Sequence, residues 1–464
     1  MRNPSANVLL LACYELGHAP LSLAWPLAFL EAAGYGAEAV DLSVQRLPET
    51  SAASAKFVGI AAPMHTALRL GVKVAARVRQ LNPYGHICFY GLYAWLNADY
   101  LLSKGLADSV IGGEYEQPLA ELVDAVCRGK KPGDVPGVST AESRNEPYLG
   151  RLRFPIPRRS GLPPLDQYAR YTHAGATHLA GYVEASRGCL HTCHHCPIVP
   201  VYGGRFFTMP LEIVMADIRQ QAAAGAAHIT FGDPDFLNGP GHALRLARVL
   251  HAEFPGMTFD FTTKVEHVLK HARLFTEFAQ AGCTFVVSAI ESVSDAVLAH
   301  LNKGHTATDI VKALSVLDAA GIALHPTLVA FTPWTSLEDY VAQVEFIRQQ
   351  GLVQHLPPIQ LAIRLLVPPR SKLLSAPDAP SWLRELDAEA LTYRWVHPDP
   401  RMDKLYEAVM ARVELAEQTG EDPAKTHAWI RRLAYDALGR AIPDEMEKSA
   451  VRPPPPRLTE NWFC

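Results

Sequence analysis

Short apolar runs, each followed by a stretch with helical spacing, recur along most of this chain, and that alternation restricts the fold more than any other feature. Five such runs lie in residues 1–135: Val8 to Cys13, Ala39 to Leu42, Phe57 to Ala61, Ile87 to Tyr90 and Ser109 to Ile111. Strands joined through helices predict a Rossmann-like, doubly wound parallel sheet. Ligands of such sheets sit at the carboxyl ends of the strands, so the loops Glu15 to Pro20, Pro63 to Thr66, Gly91 to Trp95 and Gly112 to Glu116 form its candidate binding edge. Residues 136–175 carry many Pro, Gly and Arg residues without a sustained period and read as a linker.

A second alternation occupies residues 176–375, with strands expected at Leu179 to Glu184, His228 to Phe231, Thr258 to Thr262, Thr284 to Ala289, Leu324 to Ala330 and Ile359 to Leu365. Six strands rather than eight predict an open, partial (β/α)6 barrel with its chemistry at the strand ends. Residues 376–464 read as a helical C-terminal region, with Leu405, Val409 and Val413 close to one face. The run Pro453 to Pro456 is expected to stiffen the chain into an extended spacer ahead of the tail, whose Trp462 and Phe463 should dock beside Cys464. The fold class is therefore α/β throughout.

Composition narrows the partners. Of the 464 residues 48% are hydrophobic and 19% charged, which excludes a disordered chain, and the net charge of −4 leaves no basic footprint for nucleic acid or an anionic membrane surface. A small-molecule substrate is the expected partner. Pro26 and Glu31 interrupt the longest apolar N-terminal stretch, so no spanning helix is expected, and the run from Val8 to Cys13 is too short for an export signal. A cytoplasmic, reducing setting follows, in which clustered cysteines bind metals more often than they pair. Cys13, Cys88, Cys127 and Cys283 are scattered and read as buried thiols.

The other cysteines are not scattered. Glu184-Ala185-Ser186-Arg187-Gly188-Cys189-Leu190-His191-Thr192-Cys193-His194-His195-Cys196-Pro197 places three thiols at C-x3-C-x2-C spacing directly after a strand. Three thiols on one tight loop suit one metal centre. A structural zinc site could be completed by His191, His194 or His195, but such sites use two spaced ligand pairs and no second pair occurs. A disulfide would leave one thiol over. An iron-sulfur cluster normally takes four cysteines, so three imply one iron open to another ligand.

This pattern, at the first strand of a six-strand alternation, resembles the radical S-adenosylmethionine (radical SAM) superfamily. The resemblance implies that Cys189, Cys193 and Cys196 hold a 4Fe-4S cluster whose fourth iron is chelated by SAM, with His195 in the slot before the third cysteine. It implies SAM contacts from Gly232, Asp233 and Asp235 after the second strand, and from Ser288 and Glu291 at the end of the fourth, ahead of Lys303-Gly304. Lys264 after the third strand and Arg364 in the sixth could meet a SAM or substrate carboxylate. It also implies an electron donor such as flavodoxin or ferredoxin. Residues 1–135 are similar to the cobalamin-binding domain of cobalamin-linked radical SAM proteins. Their D-x-H-x-x-G motif is absent and Gly17-His18-Ala19-Pro20 follows the first strand, so either cobalamin binds without a protein ligand or the fold is kept without the cofactor.

A narrower resemblance rests on Phe231-Gly232-Asp233-Pro234-Asp235-Phe236-Leu237-Asn238, Thr332-Pro333-Trp334-Thr335, Arg364-Leu365-Leu366-Val367-Pro368-Pro369 and the ending from Pro456 to Cys464. These segments are similar to the radical SAM subgroup whose tail ends in Cys-Cys-Ala-Glu-Pro or carries selenocysteine in place of the second cysteine. That implies a functional Cys464, with either a selenocysteine codon after it or a diverged tail. It also implies transfer of a SAM-derived carbon fragment, the 3-amino-3-carboxypropyl group, to an acceptor such as trivalent arsenic, as in the formation of arsinothricin-type compounds. The N-terminal domain implies the alternative of a cobalamin-dependent radical SAM methyltransferase, and a non-catalytic metal-binding protein is the third reading.

Overall fold

A computed structural model describes residues 7–443, 450 and 452–460. Its first sheet contains β1 (Val8–Ala12), β2 (Ala37–Asp41), β3 (Phe57–Ala61), β4 (His86–Tyr90), β5 (Ser109–Ile111) and the short β6 (Val138–Ser139) in the order β2-β1-β3-β4-β5-β6. All neighbours are parallel except β6, which runs antiparallel to β5. The alternation of side chains explains the double winding. Leu9 and Leu11 of β1 enter one core with Ala67, Leu68, Ala75 and Val78 of helix His65–Leu81. Val8, Leu10 and Ala12 enter the opposite core with Leu23 and Leu27 of helix Leu21–Ala32 and with Leu119 and Val123 of helix Glu116–Cys127. Both faces are apolar, so both need helices.

The second sheet joins β7 (Arg170–His173), β8 (Ala176–Val183), β11 (Ala226–Phe231), β12 (Thr258–Thr262), β13 (Cys283–Glu291), β14 (Ala323–Leu328) and β17 (Arg457–Leu458). Two short pairs stand apart from it: β9 (Ser186–Gly188) with β10 (Phe206–Thr208), and β15 (Leu383–Asp387) with β16 (Thr392–Trp395). Strands β8, β11, β12, β13 and β14 are parallel, and β7 closes one side antiparallel. Here the two faces differ. Ile229, Phe231, Phe259 and Phe261 face the helical layer and are fully buried, each contributing about 1.5–3 kcal/mol. The opposite positions carry His228, Thr230 and Asp260, and Asp260 accepts from Thr230 Oγ1 at 2.6 Å and lies 2.8 Å from His228 Nε2. These buried polar groups satisfy one another, as burial demands, beneath the rings of Tyr171 and Phe285 that stack on His228.

Three expectations are corrected. The sixth strand, Ile359 to Leu365, is absent as a ladder: residues Pro358–Leu361 form a 3-10 turn, and only a parallel bridge from Phe331 to Arg364 remains. Pro358, with its fixed φ, opens that turn at its first position and commits the following residues to helical backbone. The region 376–464 is not wholly helical, since β15 and β16 form a hairpin ahead of helices Pro400–Thr419 and Pro423–Leu438. The segment after the proline run is no free spacer. Leu458 and Arg457 pair with Tyr171 and Thr172 of β7, and Tyr14 Oη donates to Glu460 Oε1 at 2.7 Å. Gly17, at φ +70°, is required beneath it, because a Cβ there would lie 2.7 Å from the Glu460 side chain. Trp462, Phe463 and Cys464 lie outside the described residues. No described helix is long and apolar enough to cross a membrane.

Candidate active site around the cysteine loop

β8 ends at Val183, and β9 with its positive-φ Gly188 turns the chain into the loop carrying Cys189, Cys193 and Cys196. The loop is pinned from outside. His194 N–H donates to Leu301 O at 2.9 Å, His194 Nδ1 lies 3.0 Å from His300 O, and Asn302 Nδ2 donates to Thr192 O at 3.1 Å. Cys189 and Cys193 are buried and Cys196 is half-buried, and every described cysteine is a free thiol. Cys13, Cys88 and Cys283 are buried as expected, while Cys127 is only half-buried. Burial pushes the Cys189 thiol up and Cys196 to about 12, so a bound metal must displace their protons.

The end of β13 faces the same loop. Glu291, at φ +60°, presents its Oε1 to Lys303 Nζ at 3.1 Å and to His195 Nε2 at 3.2 Å. Burial opposes its charge, but Lys303 and His195 outweigh that and hold the carboxyl at about 2. Lys303 is raised against burial by Glu291, Cys193 and Cys196, which places its ammonium where it favours the thiolates. Lys264 begins helix Val265–Lys270 at the end of β12, with Nζ 3.4 Å from Glu266 Oε2.

Other predicted residues serve the surrounding framework. Asp233 accepts from Ala185 N–H at 2.9 Å and from Ser186 Oγ, bracing the turn that starts β9; burial pushes it up to about 7. Gly232 leaves room for Tyr182, whose hydroxyl would lie 2.2 Å from a Cβ. Ser288 Oγ donates to Thr263 O at 2.8 Å, tying β13 to β12. Arg364 is drawn away: Nη1 pairs with Asp403 Oδ1 at 2.8 Å, Nη2 donates to Trp395 O at 2.9 Å, and the guanidinium lies 3.8 Å from the Trp395 ring centre. Asp235 meets His191 and His267 instead of the cysteines. His267, in Lys264-Val265-Glu266-His267, was missed by sequence reasoning, and the sole signal was a histidine one helical turn past a strand end.

The carboxyl edge of the first sheet packs on this loop's flanks. His18 stacks on Tyr182 with ring centres 4.2 Å apart, and Tyr202 Oη donates to Glu114 Oε1 at 2.9 Å. Arg187 pairs with Glu116 at 2.6 Å, Glu184 at 3.0 Å and Glu114 at 3.6 Å.

Burial of titratable groups makes the fold acid-sensitive. Burial pushes His18 down to about 3 and His305, His325 and His427 to about 4. Their folded pKa values lie below the unfolded value of about 6.5, so their stabilisation is complete above about pH 6.5 and is lost as pH falls toward 4. Glu15, Glu114 and Asp233, raised mainly by burial to about 7, and Glu184, also raised by burial, act in the opposite sense over the same range, but the buried histidines, with His191 also lowered to about 4, outnumber them. The urea midpoint should therefore fall between pH 6.5 and pH 4.5; an unchanged or rising midpoint would contradict this balance.

A parallel half-barrel whose first strand delivers three clustered thiols defines a protein built around a cysteine-ligated cluster at strand ends. Residues 183–339 match the Radical SAM superfamily, a match that implies a 4Fe-4S cluster and SAM. The chain is 27% identical over 251 residues to an uncharacterized methyltransferase of Pyrococcus horikoshii, covering 52% of this chain and 53% of that protein. It is 23% identical over 233 residues to the hopanoid C-3 methylase of Methylococcus capsulatus, covering 50% and 44%. The chain thus spans about half the length of the curated relatives it matches. Among solved structures, cobalamin-dependent SAM radical enzyme OxsB with aqua-cobalamin bound gives a TM-score of 0.71 at 13% identity, over 92% of this chain and 73% of that one. The radical SAM methyltransferase TsrM from Kitasatospora setae, with cobalamin and a 4Fe-4S cluster bound, gives 0.58 at 18% identity, over 74% and 73%.

Proposed function

We propose that this protein is a radical SAM methyltransferase acting on a small molecule, with reducing equivalents from a flavodoxin- or ferredoxin-type donor. The observation that carries the reading is the seating of the first sheet's carboxyl edge on the strand that delivers the cysteine loop, an arrangement spanning both halves of the chain. The curated relatives named as a methylase and a methyltransferase support methyl as the fragment moved.

When bound, a 4Fe-4S cluster would supply the electron that breaks a carbon–sulfur bond of SAM. The donor set fits: three free thiols on one pinned loop, with Lys303 beside them. Glu291 holds Lys303 and His195 at the loop, and Asp233 fixes the turn that aims it. No described histidine at the edge stands ready as a ligand for cobalt, so cobalamin, where bound, would be held without one, the first of the two options left by the missing D-x-H-x-x-G motif. His18 is buried in its stack on Tyr182, and His65 Nε2 lies 2.7 Å from Ala390 O. Tyr202 and Leu391 pack into the core beneath the same edge.

Transfer of an aminocarboxypropyl group, to trivalent arsenic or another acceptor, is the second reading, motivated by the likeness of the segment Pro456 to Cys464 to the tail of one radical SAM subgroup. Mass spectrometry of the SAM-derived product, after anaerobic reconstitution and reduction, separates the two. Methyl transfer leaves S-adenosylhomocysteine, joined by 5'-deoxyadenosine if hydrogen is also abstracted from the acceptor. Methylthioadenosine would replace the proposal with the second reading, and no SAM consumption would defeat both.

A further inference from the structure

Beside the cysteine loop, three side chains converge without a partner that explains them. Asp235, fully buried, follows β11, His191 lies between Cys189 and Cys193, and His267 sits in the helix after β12. Asp235 Oδ1 is fixed by Leu237 N–H at 3.1 Å and Thr263 O–H at 2.8 Å. Its Oδ2 is left with no hydrogen bond to any described residue, as is His267 Nδ1, although the two atoms are 2.8 Å apart. His191 Nε2 lies 3.2 Å from His267 Nε2 and 3.8 Å from Asp235 Oδ2. One ligand atom from each residue falls within 4.8 Å of the others. His267 can give a metal only one nitrogen; with Nδ1, its unpartnered atom, as the ligand, Asp235 Oδ2 lies 2.8 Å from it and 3.8 Å from His191 Nε2, which brackets the about 3.3 Å between ligands around a tetrahedral zinc at bonds of about 2.0–2.1 Å.

We infer that His191, Asp235 and His267 form a site for one divalent transition-metal ion of borderline softness, with Zn2+ as the probe and one position open to a further ligand. The surroundings are those of a metal site. His191 Nδ1 faces the Glu266 carboxylate at 3.6 Å while its Nε2 faces the other two residues, and Asp235 is held through its other oxygen by Thr263. The ammonium of Lys264, the nearest opposing charge, is met by Glu266. Two imidazoles and a carboxylate suit zinc or iron(II), whereas the neighbouring three thiols suit an iron-sulfur cluster, so the two sites select different occupants.

The full chain, already loaded with its cluster, is equilibrated with buffered Zn2+, and bound zinc and iron are counted by mass spectrometry. One zinc per chain beyond the cluster iron is expected, and X-ray absorption at the zinc edge should show nitrogen and oxygen neighbours at about 2.0–2.1 Å. Asp235→Asn and His267→Gln should each weaken zinc binding by about 100-fold or more while iron content stays unchanged. Should His267→Gln fail to fold, Asp235→Asn still tests the site, because it preserves the atom that Thr263 and Leu237 hold. Zinc surrounded by sulfur at about 2.3 Å, zinc retained in the folded variants, or no zinc bound by the wild-type chain would each overturn the assignment.

Discussion

Replacing Cys193 with alanine is expected to abolish iron loading and SAM cleavage together while the protein remains folded. The loop's course does not depend on that thiol, because His194, Thr192 and Asn302 tie it to the turn at Leu301. The substitution therefore removes a ligand and little else. With three cysteines available, losing one leaves two thiolates for a cluster that already has an open iron, and assembly should fail. Iron per chain should drop to background in reconstituted protein, with thermal unfolding of the unloaded chain nearly unchanged. Cys88→Ala, at a buried thiol in the first sheet, should load iron normally and controls for the loss of any thiol. Retained SAM cleavage by Cys193→Ala would refute the ligand assignment.

The strands were legible in the sequence where one physical rule acts alone. Phe57–Ala61, Ser109–Ile111 and Thr258–Thr262 match their expected bounds residue for residue, because each run is bounded by a turn or a helix start. Ile359 to Leu365 has the apolar content of a strand, but Pro358 starts a 3-10 turn at its entrance and only the end of the run, near Arg364, reaches the neighbouring strand's extension. The β15–β16 hairpin was hidden by the charged turn between Asp387 and Leu391, which has the composition of an exposed helix.

The site shows the same division. Three thiols within one loop declare themselves by spacing, and Glu291 is singled out through a resemblance as a SAM contact, while its pairing with Lys303 emerges only in the fold. Arg187, His191 and His267 acquire meaning only from residues distant in the chain: Glu114 and Glu116 for the first, Asp235 for the other two. Arg364 shows the converse. Its residue type suggested a carboxylate partner, and it has one, but Asp403 belongs to the C-terminal helix and not to a ligand.

Arg187→Met is expected to cost about 3–5 kcal/mol of stability, because it removes the one cation of a buried ion cluster. Its side chain is 8% exposed, and its single charge faces Glu114, Glu116 and Glu184, of which the first two are almost wholly buried. Its guanidinium also lies over the rings of Phe154, at 5.2 Å, and Tyr115, at 5.6 Å. Burial, even against the pull of Arg187, already pushes Glu114 up to about 7 and raises Glu184. Without the arginine, three neighbouring carboxyls must either take up protons or stay charged in a low dielectric. At pH 5 protonation is available and the penalty is partly relieved; at pH 8 it is not, so the loss in urea midpoint should be greater at pH 8. A loss that is equal at both pH values would show that Arg187 acts by packing over the rings and not by charge. Adding Glu116→Gln should then recover part of the stability at pH 8, since it removes one of the stranded charges. Because Arg187 stands two residues before Cys189 on β9 while Glu114 and Glu116 belong to the edge of the first sheet, the same substitution should also impair cluster loading: the ion cluster is what holds that edge against the cysteine loop.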